Sequence, residues 1–428
     1  MKISVFWFRR DLRLDDNTAL RHALNSGLPV LPVFIFDDNI IEELSPNDAR
    51  INFIYDNLHF INKELNAHGS AVLILKGDPV KVWEKLIAEY DIGGVFLNRD
   101  YEPYALFRDG KIRTLLKQSN INLHDFKDQV IFERDEIVKE DGKPYTVFTP
   151  YKKRWLANFA TSSVASPDTA VYKTFMPLNV PFPGLSDLGF VKSKIKVKDF
   201  DLSVANHYAG TRDLPGQDAT SYLGPHLRFG TISIRRVIGQ LKPHHEVFLS
   251  ELVWREFFMQ ILYHFPEVVD RNFHTKYDGI AWRNNEIEFD KWCMGETGYP
   301  LVDAGICQLN ETGYMHNRVR MVVASFLCKH LLIDWRWGEA WFAERLLDYE
   351  LSSNNGNWQW AAGTGCDAAP YFRIFNPAEQ QRKFDRDLVY IKRWIPNYHP
   401  GNYSPPVVEH KFARERALET YKKGISNI

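Results

Sequence analysis

Within the first 128 residues, five short runs rich in branched and aromatic side chains, at 3–8, 30–36, 71–75, 95–98 and 121–126, alternate with amphipathic stretches such as 52–67 and 80–90. Parallel strands need a long crossover between them and helices supply it, so this alternation restricts the segment to a parallel sheet with helices on its faces. The loop after the first run carries Arg9, Arg10 and Asp11 where a dinucleotide fingerprint would read Gly-x-Gly-x-x-Gly. The expectation is a Rossmann-like α/β domain over 1–128 that lacks the usual phosphate loop.

Beyond residue 128 the pattern changes twice. Periodicity weakens over 129–200, where prolines recur at Pro150, Pro177, Pro181 and Pro183, and the stretch reads as a long surface connection. From 201 to 428 only helical patterns follow, as in 251–263, 314–332 and 339–351, which predicts an all-α domain. A length of 428 residues agrees with two cores rather than one. The net charge of -1 means that a polyanion could be met only by a local basic patch. Cys293, Cys307, Cys328 and Cys366 show no Cys-x-x-Cys spacing and read as buried thiols, with no metal site, in a reducing compartment. With no signal-type segment and no apolar run of about 18 residues, the expectation is a cytoplasmic protein without a membrane span.

The chemistry concentrates late in the chain. Residues 348–377 combine Asp348, Glu350, Asn354, Asn355, Trp358 and Trp360 with the small-residue run 361–369, a mixture that suits a buried polar cofactor better than an ordinary core. Asn317 and Arg320 stand three apart on one helical face with Arg318 directed elsewhere, just before the apolar run 322–327. Glu251 and Trp254 share a face at i, i+3. A carboxyl in a dry cavity would have its pKa raised and could donate a hydrogen bond, while the indole offers a flat platform for a base. The alternative is that Glu251 pairs with an arginine and Trp254 is simply core. Tyr208, Thr220 and Ser221 precede a glycine turn and could serve an anion, or merely start a helix.

Taken in order, residues 5–17, 298–304 and 348–377 closely resemble the signatures of the DNA photolyase and cryptochrome family, and the resemblance extends over nearly the whole chain. It implies an α/β domain followed by an all-α FAD-binding domain. Tyr208, Thr220 and Ser221 would lie on the FAD diphosphate side. Arg320 with Asp348 would form an ion pair beside the flavin, Glu350 would belong to the same cofactor site, and Asn354 would face flavin N5. Asn rather than Asp at that position favours repair over plant-type cryptochrome signalling. Glu251, Trp254, Asn317, Arg318, Met321 and Trp360 would contact a flipped-out pyrimidine dimer, Glu251 and Asn317 as catalytic groups. Trp282, Trp335 and Trp358 would refill the oxidised flavin with electrons, although tryptophans also fill any helical core. The lone His316 departs from the histidine-rich motif of (6-4) photolyases and favours the cyclobutane lesion. The segment 100–105 lacks the Asn-Glu pair of methenyltetrahydrofolate-binding enzymes. A second antenna chromophore would then be of deazaflavin or flavin type, near residues 34–37. The implied activity is light-dependent repair of UV-damaged DNA by a monomer, with a cryptochrome-type blue-light photoreceptor as the alternative.

Overall fold

A computed structural model describes residues 1–161 and 172–426, and the chain divides by its internal contacts into two units. Unit 1 comprises residues 1–136, 157–200 and 222–241, and unit 2 comprises 137–156, 201–221 and 242–428. This differs from the expected division at 1–128, 129–200 and 201–428. The expected connection has no separate existence, because its parts pack into one unit or the other. Residues 162–171 of that stretch lie outside the described residues.

Unit 1 holds a five-stranded, all-parallel sheet with strands β1 (Ile3–Phe8), β2 (Val30–Asp37), β3 (Leu73–Gly77), β4 (Ile92–Asn98) and β5 (Asn122–Phe126), in the order β3-β2-β1-β4-β5. Every residue of β1 and β2 is buried, as a sheet covered on both faces requires. In β1, Ile3, Val5 and Trp7 join one apolar cluster while Phe6 and Phe8 join another, so the period of two feeds two separate cores. The intervening helices begin where the side chains of Asn17, Asp48 and Asp78 accept backbone N–H groups, with Pro79 in the first turn of helix Pro79–Glu89. The expected run at 71–75 pairs two residues later, because β3 aligns Leu73 with Val33 and Gly77 with Asp37.

Unit 2 is helical, with its main core built from helices Pro300–Thr312, Asn317–Ser325, Trp335–Arg345 and Leu351–Ala362. Helix Phe148–Thr161 begins inside the stretch expected to be loop. Pro150 stands in its first turn, where a missing N–H costs nothing. The expected helix at 314–332 is two elements, Asn317–Ser325 and a π-helical turn Phe326–Leu331 that ends on Leu332 at φ 50°. The expected helix at 339–351 also breaks. Trp335–Arg345 ends, and a new helix starts at Leu351 with Glu350 as its N-cap, leaving Asp348 and Glu350 in the turn between them. Two glycines permit close packing here. A Cβ on Gly338 would stand 2.1 Å from Cη2 of Trp358, and one on Gly356 would stand 2.2 Å from Cδ1 of Phe258.

Candidate functional site

The break between the last two core helices opens a cleft in unit 2 with about 580 Å3 of free space, open solvent included. Asn317, Arg320, Met321, Asp348, Glu350, Asn354, Trp358 and Trp360 line it together with Phe342 and Leu346. These eight residues were all singled out in the sequence, and they come from helix Asn317–Ser325, from helix Leu351–Ala362 and from the turn before the latter.

Their partners explain why they stay in place. Arg320 donates through its terminal nitrogen to both carboxylate oxygens of Asp348, at 3.1 and 2.9 Å, and through Nε to the Met315 carbonyl at 2.8 Å. Arg255 holds Glu350 with Nε–Oε2 at 3.1 Å and a second contact to Oε1 at 3.2 Å, a two-point pairing that fixes the turn. Asn354 is buried, and its Nδ2 donates to the backbone carbonyl and the side chain of Glu339 at 3.0 and 2.8 Å. Both amide donors are consumed by Glu339, so the amide oxygen is the group left to face the cleft chemistry. Burial pushes the Glu339 carboxyl up, only partly offset by the bond from Asn354. Glu339 was not anticipated. It lies 15 residues before Asn354 and nothing local in the sequence marks it.

The remaining expected residues form neighbouring groups outside the cleft lining. Glu251 pairs with Arg212 at 2.6 Å, as the plainer reading of the sequence had it. Burial nevertheless raises its carboxyl against that opposing charge. The Arg212 guanidinium also lies 5.5 Å from the ring of Tyr208, which packs edge-on against Phe248, and burial raises the Tyr208 phenol. Trp254 is not simple core. It is half-buried and stacks on Phe148 at 3.6 Å and 8°. Arg318 leaves the cleft side of its helix, donates to Asp213 at 2.6 and 3.1 Å and lies 4.4 Å from the ring of Phe384. His316 caps the same helix by accepting the Arg318 N–H at 3.2 Å, and burial lowers its imidazole to about 4, a neutral cap rather than an acid. Thr220 is exposed and Ser221 half-buried, with the Ser221 carbonyl accepting from Asp201 N–H at 2.9 Å.

The three tryptophans share the main core of unit 2, with Trp335 and Trp358 buried within it and Trp282 packed against it. Trp335 donates from Nε1 to Asn272 at 2.9 Å. The ring contacts of Trp358 are with Phe342 at 5.0 Å and Trp292 at 6.2 Å, while Trp282 meets Tyr421 edge-on at 5.8 Å. The two half-buried thiols, Cys307 and Cys366, and the two buried ones, Cys293 and Cys328, are all free, and burial raises each.

In unit 1, the residues expected near an antenna are bonded to protein partners. Tyr104 donates to Asp37 at 2.7 Å, Arg10 meets Asp100 at 3.1 Å and Glu102 at 3.2 Å, and Arg228 meets Glu102 at 2.7 Å. Glu102 and Pro103 also open helix Pro103–Gln118. Among the described residues, no helix is long and apolar enough to cross a membrane, and no group of three or more His, Cys, Asp or Glu could hold a metal ion.

Chemically, the cleft presents a guanidinium, carboxamides and carboxylates between apolar and aromatic walls, a set that fits a planar heteroaromatic ring with donors and acceptors on its edges. Comparison with known proteins gives the same reading. Residues 4–170 match the DNA photolyase family, and residues 248–400 match the FAD binding domain of DNA photolyase. The deoxyribodipyrimidine photo-lyase of Synechococcus is 35% identical over 98% of this chain and 96% of its own length. The crystal structure of a bacterial class III photolyase from Agrobacterium tumefaciens superposes with a TM-score of 0.88 at 34% identity, covering 100% of this chain and 98% of that one. An archaeal photolyase from Sulfolobus tokodaii, solved with two FAD molecules, gives 0.84 at 33% identity over 99% of this chain and 100% of its own.

Proposed function

The chain belongs to the DNA photolyase family and carries its FAD-binding domain, and on that premise we propose that it splits cyclobutane pyrimidine dimers in UV-damaged DNA under blue light. The observation that carries this reading is the convergence of Asn317, Arg320, Met321, Asp348, Glu350, Asn354, Trp358 and Trp360 on one cleft. When bound, FAD would supply the light-driven electron for breaking the two carbon–carbon bonds of the dimer and would take that electron back. Everything else falls to the side chains.

Asn354, with its amide nitrogen held by Glu339, would offer its oxygen to flavin N5 when FAD is bound. The Arg320–Asp348 pair would hold a fixed charge and its counter-charge beside the bound ring. Glu350, clamped by Arg255, keeps the turn that carries Asp348 in register. Tyr208, Thr220 and Ser221 serve the diphosphate side. For the lesion, Trp254 backed by Phe148 is a rigid apolar platform that a flipped-out base could stack against. Glu251 has a raised carboxyl, which favours the protonated form that donates a hydrogen bond to a dimer carbonyl. Asn317, Arg318, Met321 and Trp360 complete the substrate side, with Arg318 aimed by Asp213. Trp282, Trp335 and Trp358 would serve as the protein's electron relay to bound FAD, apart from the residues that meet the dimer. A second antenna chromophore, of deazaflavin or flavin type, would be held by unit 1.

The test is a thymine dimer in a short oligonucleotide, incubated with chemically reduced, FAD-loaded protein in blue light and in the dark. Loss of the dimer in light alone is the expected result. Persistence of the dimer in light, with lesion-independent flavin photochemistry intact, would reject repair in favour of a photoreceptor.

A further inference from the structure

Residues 190–200 run through unit 1 outside any helix or strand, and their exposure alternates: Lys192, Lys194, Lys196 and Lys198 are exposed, Ser193 is buried, and Ile195 and Val197 are half-buried. That is the pattern of extended chain, in which alternate side chains leave opposite faces at a repeat of roughly 6.6 Å. The backbone is tied down. Val191 N–H donates to the Pro46 carbonyl at 2.8 Å, Ser193 N–H to Asn52 Oδ1 at 2.9 Å, and Asn52 Nδ2 to the Val191 carbonyl at 3.2 Å. At the far end, His226 Nε2 lies 2.9 Å from the Lys198 carbonyl.

The charges are the unusual part. Four lysines against Asp199 leave +3 within eleven residues of a chain whose net charge is -1. Several arginines of unit 1 are matched, as Arg10 is with Asp100, Arg50 with Asp48 and Arg99 with Asp125. Lys198 donates to the Tyr222 hydroxyl at 2.8 Å. Lys192, Lys194 and Lys196 take part in no ion pair or hydrogen bond among the described residues. Three unpaired, evenly spaced ammonium groups on an anchored backbone complement a polymer of evenly spaced anions.

We propose that this row is a track for the sugar–phosphate backbone of DNA, bound by charge without regard to sequence or lesion. Its identification with DNA rests on the repair reading above, while its polyanion chemistry rests on the row itself. A membrane surface is the poorer fit, because stable adsorption wants exposed bulky apolar groups beside the cations and the row offers only Val191.

The test compares wild type with a variant carrying Lys192→Ala, Lys194→Ala and Lys196→Ala, and with a control of equal charge loss carrying Lys63→Ala, Lys85→Ala and Lys117→Ala. Binding to undamaged and dimer-containing duplexes is followed across salt. With about 0.9 counterions released per phosphate met, the track variant should lose about 2.7 from the salt slope. Wild type should then shed roughly 40-fold more affinity than the variant between 50 and 200 mM salt. The ratio of lesion to undamaged binding should not move, and the control should behave as wild type. A variant with the wild-type slope and affinity overturns the track. So does one that keeps its DNA binding while losing adsorption to phosphatidylserine vesicles, which would assign the row to a membrane. If neither protein distinguishes dimer from undamaged DNA but the slope still falls, the repair reading fails and the track stands.

Discussion

Two carboxylates of unit 1 and two of unit 2 answer burial in opposite ways. In unit 1, Arg13 and Arg235 enclose Asp128, with Arg235 at 2.7 Å from it and Arg13 bonded on its other oxygen, while Thr18 donates to it from both backbone and side chain. Burial alone would raise the Asp128 carboxyl, but the two guanidiniums together hold it below its ordinary value. Asp100, beside Arg10, is held low in the same way. In unit 2, Glu339 and Glu251 each have one partner, and burial wins: both carboxyls are raised. Carboxylates held by two guanidiniums are thus kept low, while those with a single partner near the cleft are left to burial.

The sharpest way to break this contrast is to remove a saturating group. Asp128→Ala leaves two buried guanidiniums facing each other and should destabilise the protein by about 3–5 kcal/mol, read by chemical denaturation. A loss below about 1 kcal/mol, the scale of an exposed pair, would mean that the network is solvated and the contrast false.

Buried cations extend the comparison. Lys329 meets no carboxylate among the described residues; it donates to the Ala362 carbonyl at 2.6 Å and lies 3.7 Å from the ring centre of Tyr421, and burial lowers it to about 7. The unfolded chain keeps this proton up to its ordinary value of 10.5. Between about 7 and 10.5 the unfolded state therefore binds more protons, and stability rises with pH. Relative to Lys329→Met, wild type should gain about 2 kcal/mol between pH 7 and pH 9. Parallel stability curves for the two proteins would place the ammonium in water.

Aromatic cores offer a third comparison. Trp7 in unit 1 packs against Trp83 at 5.5 Å under the guanidiniums of Arg9 and Arg108, an assembly that fills space. Trp358 lines the cleft. Trp358→Phe should lower photoreduction of the oxidised, FAD-loaded protein at least about tenfold, a barrier change of about 1.4 kcal/mol, and leave dimer splitting by pre-reduced protein near wild type. Trp7→Phe should change neither. Normal photoreduction in Trp358→Phe would give the electron route to another ring, and Trp292 is its nearest tryptophan contact.

The smallest effect is expected at Glu339. In Glu339→Gln the side-chain oxygen still accepts from Asn354, so stability should shift by less than about 1 kcal/mol. The direction carries the information. A raised carboxyl makes the folded state hold its proton above the ordinary value of 4.5, so wild type should lose stability as pH rises through the raised value. The Gln variant should lack that decline. Identical pH profiles would mean that Glu339 is as well compensated as Asp128.

Much of the fold is legible in the residues. The strands of unit 1 are legible because runs of branched and aromatic residues alternate with amphipathic stretches. The breaks in unit 2 are not. The helix expected over 339–351 is interrupted without Gly or Pro, because Arg320 and Arg255, from other helices, take hold of Asp348 and Glu350. The helical pattern expected over 314–332 likewise hides the π-helical turn that carries Lys329 into the core. Among the site residues, composition pointed to 348–360 as cofactor-like, and resemblance to a family supplied the roles.

What the sequence determined by itself is therefore local and periodic: a parallel sheet, helix starts, two apolar cores, and a stretch too polar and too small to be plain core. Only the tertiary structure decided which charges are satisfied. Asp128 meets Arg235 across 107 residues, Arg318 meets Asp213 across 105, and Asn354 meets Glu339 across 15. Coulomb attraction and hydrogen bonding depend on distance through space, and sequence separation carries no record of it.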